Sequence, residues 1–276
     1  MVKRLKELLS PIIGVDAAAS VIASYDVIGD IAIIKVPEQA FEYRQAVGSA
    51  IMNDNKSIKS VWAQVSPVQG EYRIRELANI AGEDRSVTVH RESGCTFNLD
   101  VREVYFSPRL SHERERIASL VGEGERVFNM FAGVGAFSIV IAKRVNNVKV
   151  YSAEINEAAY RYMLMNIEQN KLKSTVIPIL DDARNVAARL RHGVDRVLMP
   201  LPERAMEYYE DAIASLDGGG WIHLYLHVKR SRGEDIIYLT KDRLKPYGGS
   251  VESYRIVREV GPSTLQLVFD IKFNSI

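Results

Sequence analysis

Gly133 and Gly135 close an apolar run of β-branched and aromatic residues, a helical pattern follows them, and Glu154 ends the next apolar run about 20 residues on. Glycines in such a turn let main chain approach a nucleotide-like ligand at a strand's carboxyl end, and the later acid can accept both hydroxyls of a ribose. Ser138 occupies the place of the third glycine of the dinucleotide fingerprint, which weakens a nicotinamide reading. On the glycines alone, an ordinary tight turn between strand and helix stays open.

A second candidate lies just upstream, in a helical pattern over 110–121. On a wheel of about 100° per residue, Leu110, Ile117, Leu120 and Val121 share one sector, and Glu113 and Arg114 fall inside it. His112, Glu115 and Arg116 point away. An inward carboxylate and guanidinium are costly to bury unless paired or working. The bland alternative is a pair of side chains that snorkel or bridge two domains.

Further along, Asp181 and Asp182 follow the third strand of the pattern, where an acid can meet an adenine or simply cap the next helix. Met199, Pro200, Leu201 and Pro202 form a stiff extended strip that can hold a planar base, or a stop and restart with Pro202 near the first turn of a helix. Gly70, Glu71, Tyr72, Arg73, Arg75 and Glu76 group four charges around an aromatic ring, and alone read as a solvated loop or strand edge.

These residues need elements to hold them. From 127 onward, strands are expected at 127–131, 148–153, 175–180, 196–199 and 221–228, with helices at 137–144, 157–170, 183–190, 204–215 and 235–244. That alternation is a doubly wound α/β domain. Two further strands, 251–257 and 264–273, have no helix between them, so a hairpin should place one antiparallel strand in a parallel sheet, as in S-adenosylmethionine-dependent methyltransferases. The earlier chain is a smaller α+β module, with strands at 30–36, 60–65, 86–90 and 96–101 and one amphipathic helix at 38–52. Ser107 and Pro108 mark the junction, giving domains 1–106 and 107–276.

Lys plus Arg number 36 against 35 acids in 276 residues, so RNA binding must come from local patches such as Lys229, Arg230 and Arg232. Cys95 is the one cysteine, which excludes an intramolecular disulfide and a thiolate cluster. His90, His112, His192, His223 and His227 show no zinc-ligand spacing, and His223 and His227 read as packed or surface residues. No metal site is expected. With no long apolar segment or leader pattern, a cytoplasmic location away from membranes is expected.

Taken together, the chain resembles the archaeal and eukaryotic tRNA (guanine-37, N1) methyltransferase family and its wyosine-pathway relatives. The residues that carry this are Gly70 to Arg73, the segment from Tyr105 through Ser107, Pro108, Arg109 and Leu110 to Glu113 and Arg114, the turn from Asn129 to Gly135, Asp182 to Arg184, and Met199 to Pro202. The resemblance runs from near Tyr25 to the end. It implies a Rossmann-like domain, S-adenosylmethionine as methyl donor and the anticodon loop of tRNA as partner, and a monomer is expected.

By that resemblance Glu113 is the base for guanine N1, Arg73 the partner of O6, and Tyr105 a residue that places base and donor. Arg114, Phe131, Gly133, Gly135, Glu154, Ile155, Asp182, Ala183 and Pro200 correspond to donor contacts, and Pro200 and Pro202 also border the base. Burial would raise the Glu113 carboxyl and Arg114 would lower it, a balance that sequence leaves open. The family usually has asparagine at the place of Pro200, so an amide contact is lost there. Longer relatives carry an extra N-terminal tRNA-binding domain, and tRNA recognition here should rest on the remaining module or on local basic residues.

The expected activity is therefore methyl transfer to N1 of the guanine 3′ of the anticodon. The alternatives are methylation of the tricyclic imidazo-purine made from that guanine, transfer of the donor's aminocarboxypropyl arm, or, in another class, an RNA-binding module with a vestigial cofactor fold.

Overall fold

A computed structural model describes residues 2–22, 24–65, 76–230, 235–261 and 263–274. The chain forms two compact units, residues 1–109 and 110–276. Among the described residues no helix is long and apolar enough to cross a membrane.

The first unit carries helices α1 (Val2–Ile13), α2 (Val15–Ser20) and α3 (Arg44–Asp54), and strands β1 (Tyr25–Ile28), β2 (Ile31–Lys35), β3 (Ser60–Gln64), β4 (Leu77–Gly82), β5 (Val87–Glu92) and β6 (Cys95–Asp100). Its four-stranded sheet runs β1-β2-β3-β4, with β2 and β3 parallel and the other pairs antiparallel. A parallel pair needs a crossover, which α3 supplies. Leu5, Leu9, Ile34, Val47, Ile51 and Val61 are among the core residues beneath it. β5 and β6 form a separate hairpin whose turn residues, Ser93 and Gly94, both have positive φ.

The second unit begins with α4 (Ser111–Leu120) and continues through β7 (Arg126–Asn129), α5 (Ala136–Arg144), β8 (Lys149–Glu154), α6 (Glu157–Gln169), β9 (Val176–Leu180), α7 (Ala183–Arg189), β10 (Val194–Met199), α8 (Tyr209–Ser215), β11 (Leu216–Lys229), α9 (Ile236–Leu244), β12 (Ser250–Gly261) and β13 (Thr264–Phe273). Its seven strands are ordered β12-β13-β11-β10-β7-β8-β9. β11, β10, β7, β8 and β9 are parallel, and β13 runs antiparallel between β11 and β12. This is the expected Rossmann-like sheet with its antiparallel late strand.

Position in the sheet explains strand composition. Val127, Phe128, Val197 and Leu198 in the central strands are fully buried, as strands covered on both faces require. Pro178, which has no amide hydrogen, sits in β9 at an edge. Helix starts follow side-chain caps: Asn156 accepts from the Ala158 and Ala159 amides, Asp182 from Arg184, and Asp235 from Ile237 and Tyr238.

Two expected helices are broken. The stretch 38–52 is a 3-10 turn, Glu38–Tyr43, followed by α3, and 204–215 is a 3-10 turn, Ala205–Tyr208, followed by α8. At each break a tyrosine leaves helical ψ: Tyr43 at φ −91, ψ 8 and Tyr208 at φ −113, ψ 6. The short strands β1 and β4 and the helices α1 and α2 add to the expected elements of the first unit.

Candidate active site

The carboxyl ends of β7 and β8 are tied together by the glycine turn. The Ala132 amide donates to the Ala153 carbonyl at 2.9 Å, and the Gly133 amide donates to Glu154 Oε2 at 2.6 Å. Glu154 Oε1 accepts from the amides of Ile155 at 3.0 Å and Asn156 at 2.8 Å. Asp181 donates its amide to the Glu154 carbonyl at 3.1 Å, which brings the end of β9 into the same row. Gly133 and Gly135 have φ of 57 and 85, the left-handed region where a side chain is strained. Ser138 is fully buried and joins Asn129 and Ser152 through its hydroxyl, so a hydrogen bond between helix and strands replaces the third glycine's close packing.

A carboxylate offers about four acceptor positions, and three on Glu154 are filled by main-chain amides. The fourth position, on Oε2, has no donor among the described residues. Burial raises the Glu154 carboxyl above its usual range, and the hydrogen bonds from Asn156, Gly133 and Ile155 oppose that rise.

Asp182 performs the capping duty and takes a second donor at its other oxygen. It caps α7 through the Arg184 amide at 2.7 Å, and its Oδ2 accepts from the Tyr208 hydroxyl at 3.2 Å. The Tyr208 ring meets Phe131 edge-on at 5.1 Å and lies beneath the guanidiniums of Arg184 and Arg204. Burial, and then the Asp182 carboxylate, raises the Tyr208 phenol, which stays a donor. Ala183 is buried and Ile155 is exposed beside this row. Pro200 follows β10, and Pro202 is buried at the start of a turn ahead of the Ala205–Tyr208 3-10 segment, not in the first turn of a helix.

On α4, Glu113 and Arg114 are buried, at 7% and 2% exposure. Two residues depart from the wheel. Leu120 is 42% exposed, because the helix stops there and Val121 turns extended at φ −79, ψ 128. Arg116 does not point away: its long side chain folds back one turn and clasps Glu113, Nη2 to Oε1 at 2.8 Å and Nε to Oε2 at 2.9 Å. The Tyr225 hydroxyl also donates to Glu113 Oε1, at 2.7 Å. Burial first, and the Glu113 carboxylate second, push the Tyr225 phenol far above its ordinary value, so it acts as a donor. The Phe137 ring, in the first turn of α5, meets the Tyr225 ring at 6.0 Å and has the Arg114 guanidinium 5.9 Å from its centroid, which links α4 to the glycine turn.

Arg116 continues to Asp270, with contacts of 2.7 and 3.1 Å, and Asp270 Oδ1 lies 2.5 Å from His223 Nδ1. His223 Nε2 lies 2.7 Å from Arg196 Nη1. A guanidinium only donates, so Nε2 is the acceptor and Nδ1 carries the hydrogen given to Asp270. Burial lowers the His223 value, against the pull of Asp270, and keeps the ring neutral. Burial opposes ionisation of Asp270 too, but hydrogen bonds from His223, Arg116 and Ser253 hold its carboxyl well below the ordinary range. Strand register produces the grouping, since His223 and Ser253 are the direct partners of Asp270 on either side.

The second unit thus assembles Phe131, Gly133, Gly135, Glu154, Ile155, Asp182, Ala183, Pro200 and Pro202 along the strand ends, with Glu113 and Arg114 on α4. Tyr105 is half-buried in the first unit, after β6. Gly70, Glu71, Tyr72 and Arg73 lie outside the described residues, as does Arg232, while Arg230 pairs with Glu259 at the surface. Sequence reasoning missed Tyr208, Arg116, Tyr225, His223 and Asp270. A donor aromatic three or four residues from a basic one near 204–208 was the one available signal for Tyr208.

The chain is similar to known proteins over most of its length. The TRM5/TYW2 methyltransferase domain matches residues 88–245, and the TYW2 N-terminal domain matches residues 5–85. The tRNA (guanine(37)-N(1))-methyltransferase Trm5b of Pyrococcus abyssi is 40% identical over 261 residues, covering 90% of this chain and 74% of that protein. The tRNA 4-demethylwyosine(37)-methyltransferase Taw21 of Saccharolobus solfataricus is 40% identical over 250 residues, covering 90% of this chain and 93% of that protein. Among solved structures, aTrm5 in complex with tRNALeu superposes with a TM-score of 0.84 at 34% identity, over 98% of this chain and 78% of that one. TYW2 of M. jannaschii in complex with AdoMet gives 0.67 at 29% identity, over 92% of this chain and all (100%) of the other.

Proposed function

The chain belongs to the TRM5/TYW2 methyltransferase family, and from that membership we propose that it transfers a methyl group from S-adenosylmethionine to N1 of guanine 37 of tRNA, beside the anticodon, acting as a cytoplasmic monomer. It is an S-adenosylmethionine-dependent enzyme, and a vestigial RNA-binding role is set aside. The observation that supports the reading most is the pairing, within one unit, of the Gly133–Glu154 cradle with the buried Glu113 carboxylate, the two joined through Phe137.

The donor, when bound, supplies an electrophilic sulfonium methyl. Gly133, Gly135 and Phe131 form the floor on which it rests, Glu154 accepts a ribose hydroxyl, and Arg114, Ile155, Asp182, Ala183 and Pro200 complete its contacts. Guanine N1 carries a proton at neutral pH, so transfer needs a base at N1 and a donor for the negative charge that grows on O6. Glu113 takes the proton, Arg73 stabilises O6, Tyr105 places the base, and Pro200 and Pro202 border it. The module 1–106 serves the base side of the anticodon loop and 107–276 the donor side. Positioning, more than covalent chemistry by the chain, lowers the barrier.

Incubation with labelled donor and unmodified tRNA transcripts bearing G37 or A37 tests this. Label should enter the G37 transcript alone, and transfer that ignores the replacement overturns the assignment. A second reading is favoured by Pro200, which stands where the family has asparagine, together with the similarity across 93% of the Taw21 chain. In that case the target is the tricyclic imidazo-purine, and nucleoside masses from a tRNA carrying it separate methyl from aminocarboxypropyl transfer.

A further inference from the structure

The clasp around Glu113 has more structure than a base alone requires. Glu113 Oε1 takes two donors, Tyr225 at 2.7 Å and Arg116 Nη2 at 2.8 Å, whereas Oε2 takes one, Arg116 Nε at 2.9 Å. Each carboxylate oxygen has two acceptor positions. Oε1 is therefore saturated, and Oε2 keeps one position open among the described residues.

The outer ring of the clasp is equally fixed. Arg116 is held by both oxygens of Asp270, and Asp270 is held by His223 and Ser253. Arg116 does not titrate in proteins, and its own value is raised here by Glu113 and Asp270 in spite of burial. A proton cannot pass from Glu113 through it to His223. The chain of groups orients the carboxylate and is no proton wire.

We infer that Tyr225 and Arg116 are positioning residues that turn the Glu113 carboxylate so that Oε2, through its one open acceptor position, is the atom that receives the guanine N1 proton. This rests on the base role proposed for Glu113. Tyr225 and Arg116 touch no reacting atom; they act through Glu113, and Asp270 and His223 act through Arg116.

Tyr225→Phe is the informative variant, because it removes one hydroxyl and keeps the ring that packs on Phe137. Single-turnover methylation of the G37 transcript by the full chain should slow roughly 10- to 100-fold, with donor and tRNA dissociation constants unchanged. Adding Tyr225→Phe to Glu113→Gln should leave the residual rate of the latter where it was. Arg116→Lys, which keeps a charge but loses the two-pronged clasp, should behave like Tyr225→Phe. A Tyr225→Phe enzyme with the parent rate, or with the same fold-loss in both backgrounds, overturns the positioning role. Parent activity in Glu113→Gln alone overturns the base role itself, so the two failures are distinguishable.

Discussion

The Glu154 carboxylate and the Gly133 amide are joined at 2.6 Å across the ends of two adjacent parallel strands. The acid thereby shapes the glycine turn from within, before any ligand arrives. Replacing one oxygen by an amide sets a donor against a donor.

Glu154→Gln should weaken S-adenosylmethionine binding about 10-fold or more, the worth of a hydrogen bond to a charged acceptor. The pH dependence gives a sharper signature. Burial raises the Glu154 carboxyl above 4.5 in the folded chain, so the protonated form is favoured relative to the unfolded chain and stability contributed this way falls as pH rises between the two values. Donor binding follows the opposite course, since ribose hydroxyls need the ionised acceptor. Affinity should drop as pH falls through the raised value in the parent and stay level in Glu154→Gln, a contrast that calorimetric titration reads directly.

For the base, Glu113→Ala should reduce turnover by about 10²- to 10⁴-fold while donor affinity holds. Arg73→Ala should lower turnover by about 10²-fold or more in a chain with unchanged melting temperature. Full activity in either variant removes the role assigned to that residue.

Gly135→Ala should destabilise by about 1–3 kcal/mol. The position has φ of 85, and an added Cβ would lie 3.0 Å from Met163 Cγ and 3.2 Å from Ile139 Cδ1. Thermal unfolding checks this, and a melting temperature equal to that of the parent would show that the turn yields without strain.

The His223–Asp270 pair should make the chain acid-sensitive in two stages. His223 is held below its ordinary 6.5, so the unfolded chain binds a proton first and stability falls as pH drops from about 6.5 toward the folded value. Asp270 is held below 3.8, so its contribution is complete above that value and is lost as pH falls through the lower folded one. Urea unfolding between pH 7.5 and 5.5 should show the first stage, reduced in His223→Asn. A pH-independent midpoint in the parent contradicts it.

What could be read from sequence was local. The βαβ spacing placed Gly133, Gly135 and Glu154 because one helix and one strand separate the glycines from the acid, and Asp182 declared itself as a cap by its position after an apolar run. The clasp could not be read this way. Arg116 meets Asp270, and Asp270 meets His223, only through the register of β13 with β11, which no nearby residue encodes. The helical wheel failed at Leu120 because it assumes a helix that continues, and at Arg116 because it follows Cβ directions while a long side chain can double back. Tyr43 and Tyr208 broke two helices at points where helix propensity alone gives no warning.

β13 enters the sheet between two strands that precede it in the chain. On the ribosome, β11 and β12 emerge before the strand that joins them, and that last strand carries the Arg116 partner Asp270. A chain that stops before Asp270 therefore lacks the carboxylate that holds Arg116 beside Glu113. Under the roles proposed for Glu113 and Arg116, a chain that stops short of Asp270 should be deficient in methyl transfer.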